Sequence, residues 1–548
     1  MPSCSADEVA HANTRPQSSS GQQEQYFDMF EIRVLGNTRL PQRDIESLLY
    51  PFLGEQKTLQ DVEAARKALE TLYHNRGYGT VYVDIPEQTV DGGIVRLAVT
   101  EARLEHVHVS GARYFSNRQI RAALPEATPG TTPSLPVLQQ QVNDLNQQTS
   151  DRQVVPVLKA GSVPGTVDLS LKVDDHLPLH ATLDVNDQYT ADTTPLRAAL
   201  GLSYNNLFGR LDTVAVQYQY SPQNLQQVKV WLGSYTTHVF DDVTRLSLIY
   251  VDSRSGVATL GSGDTRINVL GKGKTGSVRL IHPLAGLQSS LGSITFSADY
   301  KNSLQNICNN TTDIGECPFE QLPAASSQNG NASTSSSAHL DYTPINYINF
   351  SLGYSGGWRG DKLQGTFSLS GNFGIRGLRN NPDDFENKRF LANSNYIIFR
   401  SDGMLMNRLP ADFNVTLKYS AQYAFDPVIQ NEQLSLTGID GSRSYLESEI
   451  LVDRGIRSTL QFGTPQWKWF KSSLMTDAFV FYDYATGQIA QPLQYEAASH
   501  SVSAAGIGFN FILFDHFNGN LFWSRALRDG VQTRRGDSRY QFDVSTSW

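Results

Sequence analysis

After Asp174 every helical period vanishes and apolar residues alternate with polar ones to the end of the chain. Val214, Val216, Tyr218 and Tyr220 oppose Ala215, Gln217 and Gln219. Ile294, Phe296, Ala298 and Tyr300 oppose Thr295, Ser297 and Asp299, and Ile507, Phe509, Phe511 and Leu513 repeat the pattern. A period of two means strands with two unlike faces. A soluble sandwich alternates too, but with a more charged polar face and a shorter repeat. A closed barrel whose apolar face meets lipid and whose polar face lines a lumen fits better.

The remaining totals are consistent with that. No stretch approaches twenty apolar residues, so helical membrane spans are excluded. With 39% hydrophobic residues the composition suits a soluble protein equally well, because a barrel interleaves its lipid face with polar positions. A net charge of −9 argues against a nucleic-acid surface, which needs a basic stripe. Of three cysteines, Cys308 and Cys317 fall in one loop of Gly, Asn and Thr, as a small disulfide in an oxidising compartment would. Cys4 is left over and lacks the upstream apolar signal of a lipid anchor. The chain opens without a leader, which is read as a signal peptide already removed. The Ser- and Asn-rich tract 324–338 reads as part of a flexible external loop.

Residues 1–26 hold a short helical pattern, Ala6–Asn13, and then a Pro, Ser and Gln tract that cannot build a core. From Phe27 the pattern becomes β-α-α-β-β. Phe30, Ile32 and Val34 form a strand; Pro41 opens a helix that Pro51 stops. Thr58 and Asp61 cap a second helix, which Gly77 ends. Val81–Ile85 and Ile94–Val99 alternate around Gly92-Gly93, a hairpin signal. The same order recurs from Leu104 to Val173, so a module of about seventy-five residues is present twice.

One long polar loop, Gly438–Arg454, separates alternating flanks at Phe413–Tyr419 and Leu460–Phe462. Its Ser442-Arg443-Ser444-Tyr445 resembles the V-R-G-[FY] tip of the inward-folded sixth extracellular loop in TpsB proteins, the transporters of two-partner secretion systems. Val452-Asp453-Arg454-Gly455 resembles the G-D-R-G that closes that loop, and Phe481-Tyr482-Asp483-Tyr484-Ala485 the F-x-D-x-G motif of a barrel strand. Ser444 and Ala485 replace family glycines. Tyr73–Tyr78, Ile85–Gln88 and Pro156–Leu158 are similar to family runs in two POTRA domains, and the resemblance covers nearly the whole chain.

The resemblance implies a transmembrane barrel of sixteen antiparallel strands (176–548), or about 23 residues per strand. It further implies two α+β POTRA domains (27–101 and 102–175) and an N-terminal plug helix with its linker (1–26). Arg443, with Ser444 and Tyr445 at the tip, is expected to meet Asp483, near Phe481, in the lumen. Asp453, Arg454 and Gly455 close the loop. The alternating end, with Phe542 and the terminal Trp548, resembles the signal read by the outer-membrane assembly machinery. The implied function is ATP-independent translocation of a large β-helical exoprotein, a TpsA-type partner, across the outer membrane of a Gram-negative bacterium. The implied chain is a monomer in lipid and lipopolysaccharide with POTRA domains in the periplasm. An insertase like that of the BAM complex and a passive porin or nutrient receptor are the alternatives.

Nothing points to catalysis, a cofactor or a metal. Gly353–Gly357 fits G-x-S-x-G but begins no helix and reads as a strand end. Gly273-Lys274-Thr275 ends a phosphate-loop pattern, yet Asn268 replaces its first glycine and a hairpin turn is expected there. His106 and His108 share a strand face with no third ligand evident.

Overall fold

The computed structural model describes residues 26–548 except 192, 242, 261–264, 266, 285–289, 310–338, 495 and 515. It divides into one unit ending at Leu177 and another beginning at Pro178. The expected plug helix in residues 1–26 and Cys317 of the expected disulfide lie outside the described residues, Tyr26 excepted. Among the described residues no helix is long and apolar enough to cross a membrane.

In the first unit, strand Glu31–Leu35 runs parallel to Ile94–Glu101, which pairs antiparallel with Val81–Asp84. Helix Gln42–Leu49 follows Pro41, and helix Leu59–Asn75 starts where Asp61 accepts hydrogen bonds from the Thr58 amide and hydroxyl at 2.8 and 2.9 Å. Val62, Ala65, Leu69 and Tyr73 recur at helical spacing and are buried against Val81, Val83, Val95 and Leu97. The same arrangement then repeats. Strand Arg103–Ser110 runs parallel to Thr166–Asp175, which pairs antiparallel with Arg152–Ala160, beside helices Asn117–Ala122 and Leu135–Gln147. Pro156 costs the sheet nothing because its strand is an edge.

The duplication extends to single atoms. Gly36 and Gly111 end the first strand of each copy with φ of +89° and +92°. A Cβ there would lie 2.3 Å from the Val99 carbonyl oxygen and 2.2 Å from that of Val173. Both positions therefore require glycine. At the far end of the central strands, Glu101 accepts the amides of Thr38 and Arg39 at 2.7 and 2.9 Å. Asp175 likewise accepts those of Arg113, Tyr114 and Phe115 at 2.7–3.1 Å. A carboxylate thus satisfies the orphan donors of the same turn twice. The copies also touch: Gly77 turns at φ +95°, its carbonyl accepts the Leu135 amide at 2.9 Å, and a Cβ on it would meet Pro136 at 2.8 Å.

The second unit is a closed antiparallel barrel of sixteen strands, with a short extra strand Trp467–Trp469 at one hairpin. Strand 1 is Leu179–Asn186, strand 7 Ser290–Asn309, strand 8 His339–Arg359 and strand 10 Ile397–Arg408. Strand 11 is Asn414–Ala424, 12 Arg454–Gly463, 13 Leu474–Gln488, 14 Ser499–Leu513, 15 Phe517–Ala526 and 16 Ser538–Ser547. Strands 16 and 1 close it through five residue pairs, Asp543↔Asn186 to Ser547↔Thr182, so the ring of sixteen has no end strand. Val216, Phe296, Ile507 and Phe509 are 43–49% exposed on the outer face, as the alternation requires. Gly353–Gly357 lies within strand 8. The expected hairpin turn at Gly273 is incorrect: strand Ile267–Leu284 runs through it and Gly273 pairs with Ser253 and Ser303. Glycine in a strand marks close backbone approach as readily as a turn.

Candidate functional site

The loop between strands 11 and 12, residues 425–453, folds into the barrel instead of away from it. Its stem is a two-pair ladder, Leu434↔Val452 and Ser435↔Leu451. Above the stem, Gly438 turns at φ +98° and the Ser442 amide bonds the Leu436 carbonyl at 3.0 Å, which throws the tip sharply back. Ser444 is not among the residues at positive φ, so its side chain stands where the V-R-G-[FY] motif has glycine without backbone strain. It is 4% exposed and its hydroxyl makes no hydrogen bond among the described residues.

Arg443 meets Asp483 of strand 13 through two parallel bonds, Nε to Oδ2 and Nη2 to Oδ1, each 2.9 Å. Its amide adds a third at 3.1 Å, and Thr459 of strand 12 donates to Oδ1 at 2.8 Å. Asp483 is fully buried and Arg443 is 8% exposed. The guanidinium carbon lies 3.3 Å from the centre of the Phe481 ring and 5.5 Å from that of Phe522. Phe481 and Phe522 meet edge to face at 5.9 Å. A bidentate charged pair walled by aromatic faces has little water around it and is correspondingly strong. Tyr445 is fully buried; its hydroxyl donates to the carbonyls of Ser503 and Arg528 at 3.1 and 2.7 Å, and Arg539 donates to its carbonyl at 2.9 Å.

Two further buried acids hold the base of the loop. Asp453 receives a fork from Arg389 at 2.5 and 2.7 Å and the amides of Val428 and Ala490. Glu432 receives Lys301 of strand 7 at 2.6 Å, Tyr347 of strand 8 at 2.8 Å and Arg400 of strand 10 at 3.0 Å. Each carboxylate has charged and neutral donors, which burial of an ion requires. Arg454 points elsewhere, donating to the carbonyls of Ala424 and Phe425 at 2.7 and 2.8 Å. Gly455 lies so near strand 13 that a Cβ would be 2.8 Å from the Thr486 oxygen. Beneath the tip a cavity of about 770 Å³ is lined by Arg443, Asp440, Arg457, Arg245, Lys418 and Asp402.

Phe542 and Trp548 both lie at the seam. Phe542 donates its amide to Asp187 at 3.0 Å, and Trp548 exchanges both backbone bonds with Ala181 at 3.0 and 3.1 Å, adding a rung beyond the strand. In the second α+β copy, His106 Nδ1 lies 3.3 Å from Asp168, with Glu105 close by. The spacing missed those two carboxylates because one comes from the paired strand. Glu105 is already engaged by Ser162 and Thr166, and His108 takes no part.

Sequence reasoning also missed Phe522, Arg389 and Glu432. Phe522 had a signal: in Leu521-Phe522-Trp523 the middle residue should be polar if the lumen is. Arg389 and Glu432 had none, since their partners are distant in the chain.

The chain is similar to known proteins in sequence and in fold. Residues 27–102 match the family described as POTRA domain, ShlB-type. The outer membrane transporter CdiB of Dickeya dadantii is 30% identical over 188 residues, 34% of this chain and 32% of that protein. The chain therefore aligns with about a third of that relative's length. It aligns with most of the heme/hemopexin transporter protein HuxB of Haemophilus influenzae, at 22% identity over 509 residues, 90% of this chain and 82% of that protein. Among solved structures, CdiB from Escherichia coli superposes with a TM-score of 0.60 at 16% identity, covering 97% of this chain and 93% of that one. BamA from Haemophilus ducreyi lacking POTRA domains 1–3 gives 0.55 at 14% identity, over 95% and 100%.

Proposed function

We infer that this chain is an outer-membrane transporter of the TpsB family, the membrane partner of a two-partner secretion system. We propose that it carries one large unfolded exoprotein of β-helical type from the periplasm to the cell surface. Both α+β copies act as periplasmic POTRA domains, 27–101 and 102–175, and bind the client in extended form through an open sheet edge. Residues 1–26 plug the pore. In this reading the Arg443–Asp483 pair is the latch of the sixth extracellular loop, which must let go, or swing, before a chain can pass. Folding of the client outside drives transport. The protein works as a monomer in phospholipid and lipopolysaccharide, after insertion by the outer-membrane assembly machinery.

The observation that carries this reading is a loop seated in a closed sixteen-strand lumen by a buried ion pair, in a chain that also carries a duplicated α+β module. A passive pore has no need of such a seat. Planar-bilayer conductance of the full chain and of a chain lacking residues 1–26 tests it. A small flickering conductance that rises sharply on truncation is expected. A large steady one in both forms returns the protein to the porin class, and none in either favours an insertase.

A further inference from the structure

The hairpin joining strands 12 and 13 differs from the other described turns at its end of the barrel. Strand 1 begins just after the α+β unit, so this short-turn end is the periplasmic one. Three other turns there expose one phenylalanine each, Phe208, Phe240 and Phe514, at 80, 93 and 60%. Turns 239–244, 360–362 and 409–413 also carry an acid, Asp241, Asp361 and Asp412. By contrast, Gln466-Trp467-Lys468-Trp469-Phe470-Lys471-Ser472 holds three aromatics, two lysines and no acid, and all seven residues are exposed.

Within the barrel, the described residues leave it uncovered. Strand 11 ends its pairing at Asn414↔Gly463, so the hairpin projects beyond that neighbour. Among the described residues Trp467–Trp469 pairs only with Leu474–Thr476. Trp467 and Trp469 face Thr476 and Leu474, in register with Val480 and Tyr482, which are 50 and 45% exposed on the outer face. The two indoles therefore continue the lipid-facing row toward the periplasm. Trp469 Nε1 donates to Thr476 Oγ1 at 2.9 Å, which fixes that ring on the outer face. Phe470, Lys471 and Ser472 turn at φ +50°, +57° and +73° and present Phe470 at 78% exposure. Among the described residues neither Lys468 nor Lys471 meets a carboxylate.

In water this would be an aromatic edge strand open to mispairing. At a bilayer boundary it is complementary to one ligand class, since indoles settle at headgroup depth and ammonium groups pair with phosphate. We propose that hairpin 466–472 is a binding site for an acidic glycerophospholipid of the periplasmic leaflet. Trp467, Trp469 and Phe470 lie along its glycerol and upper acyl region, and Lys468 and Lys471 hold its headgroup.

The test is native mass spectrometry of the full chain released from micelles containing equal dioleoyl-phosphatidylglycerol and dioleoyl-phosphatidylcholine. Wild type is expected to retain the acidic lipid at least fivefold over the zwitterionic one. Lys468→Ala/Lys471→Ala should lose that preference, and Lys468→Arg/Lys471→Arg should restore it. Heat-modifiable gel mobility checks that each variant is a folded barrel. Equal retention of both lipids by wild type, or an unchanged preference in the double alanine variant, overturns the proposal.

Discussion

A guanidinium enclosed with one carboxylate and two phenyl rings has nowhere to go when its partner is removed. Arg443→Ala leaves Asp483 uncompensated in the lumen, and Asp483→Ala leaves Arg443 so. Either should cost about 3–5 kcal/mol at the latch. Together they should cost less than the sum of the two. On the proposed function, loop release should raise bilayer conductance and abolish exoprotein secretion. Arg443→Lys should fail to rescue, because an ammonium cannot form the fork. A second carboxylate gives a pH prediction. Burial pushes Glu101 up, but the hydrogen bonds from Thr38, Arg39 and Tyr73 outweigh it and hold the group below its ordinary 4.5. A depressed carboxylate stabilises the fold above its ordinary value and stops doing so as pH falls through the folded one. Amide exchange at Thr38 and Arg39 should therefore lose protection below about pH 4.5, and Glu101→Gln should lose it already at neutral pH.

Helices and strands were more legible than the contacts among them. Period two in the second half, and caps such as Thr58/Asp61 in the first, act within a few residues, so each is written locally. The duplicated module could be read because its two copies have the same local signals in the same order. Glu432 could not, because Lys301, Tyr347 and Arg400 come from three strands and only barrel closure brings them to one carboxylate. Phe481 and Phe522 break the alternation, because aromatics occupy lumen positions there to wall the arginine. Gly273, read as a turn, belongs to an unbroken strand. The repeat predicts matched effects: Gly36→Ala and Gly111→Ala each force a Cβ onto a carbonyl oxygen at positive φ. Each should destabilise its own copy by about 1–3 kcal/mol, seen as lowered exchange protection there and little change in the other.

Across the whole molecule, passage through the lumen and opening at the seam are different routes. Asn186 and Asp543 face each other across the closing pair of strands. A disulfide between Asn186→Cys and Asp543→Cys pins that seam. Oxidised and reduced forms should secrete equally if the client travels through the lumen, whereas an insertase should stop on oxidation; immunoblots of the medium and of a co-expressed barrel's assembly separate the two. The loop's stem sets a further limit. With Ser435 and Leu451 tied together, residues 436–450 form a tether doubled back on itself, about 25 Å long when fully drawn out. That length is close to the roughly 25 Å height of a barrel's apolar band. A released tip can thus sweep the full depth of the channel while its root stays fixed, and it returns to the same seat by a search confined to a single short arc.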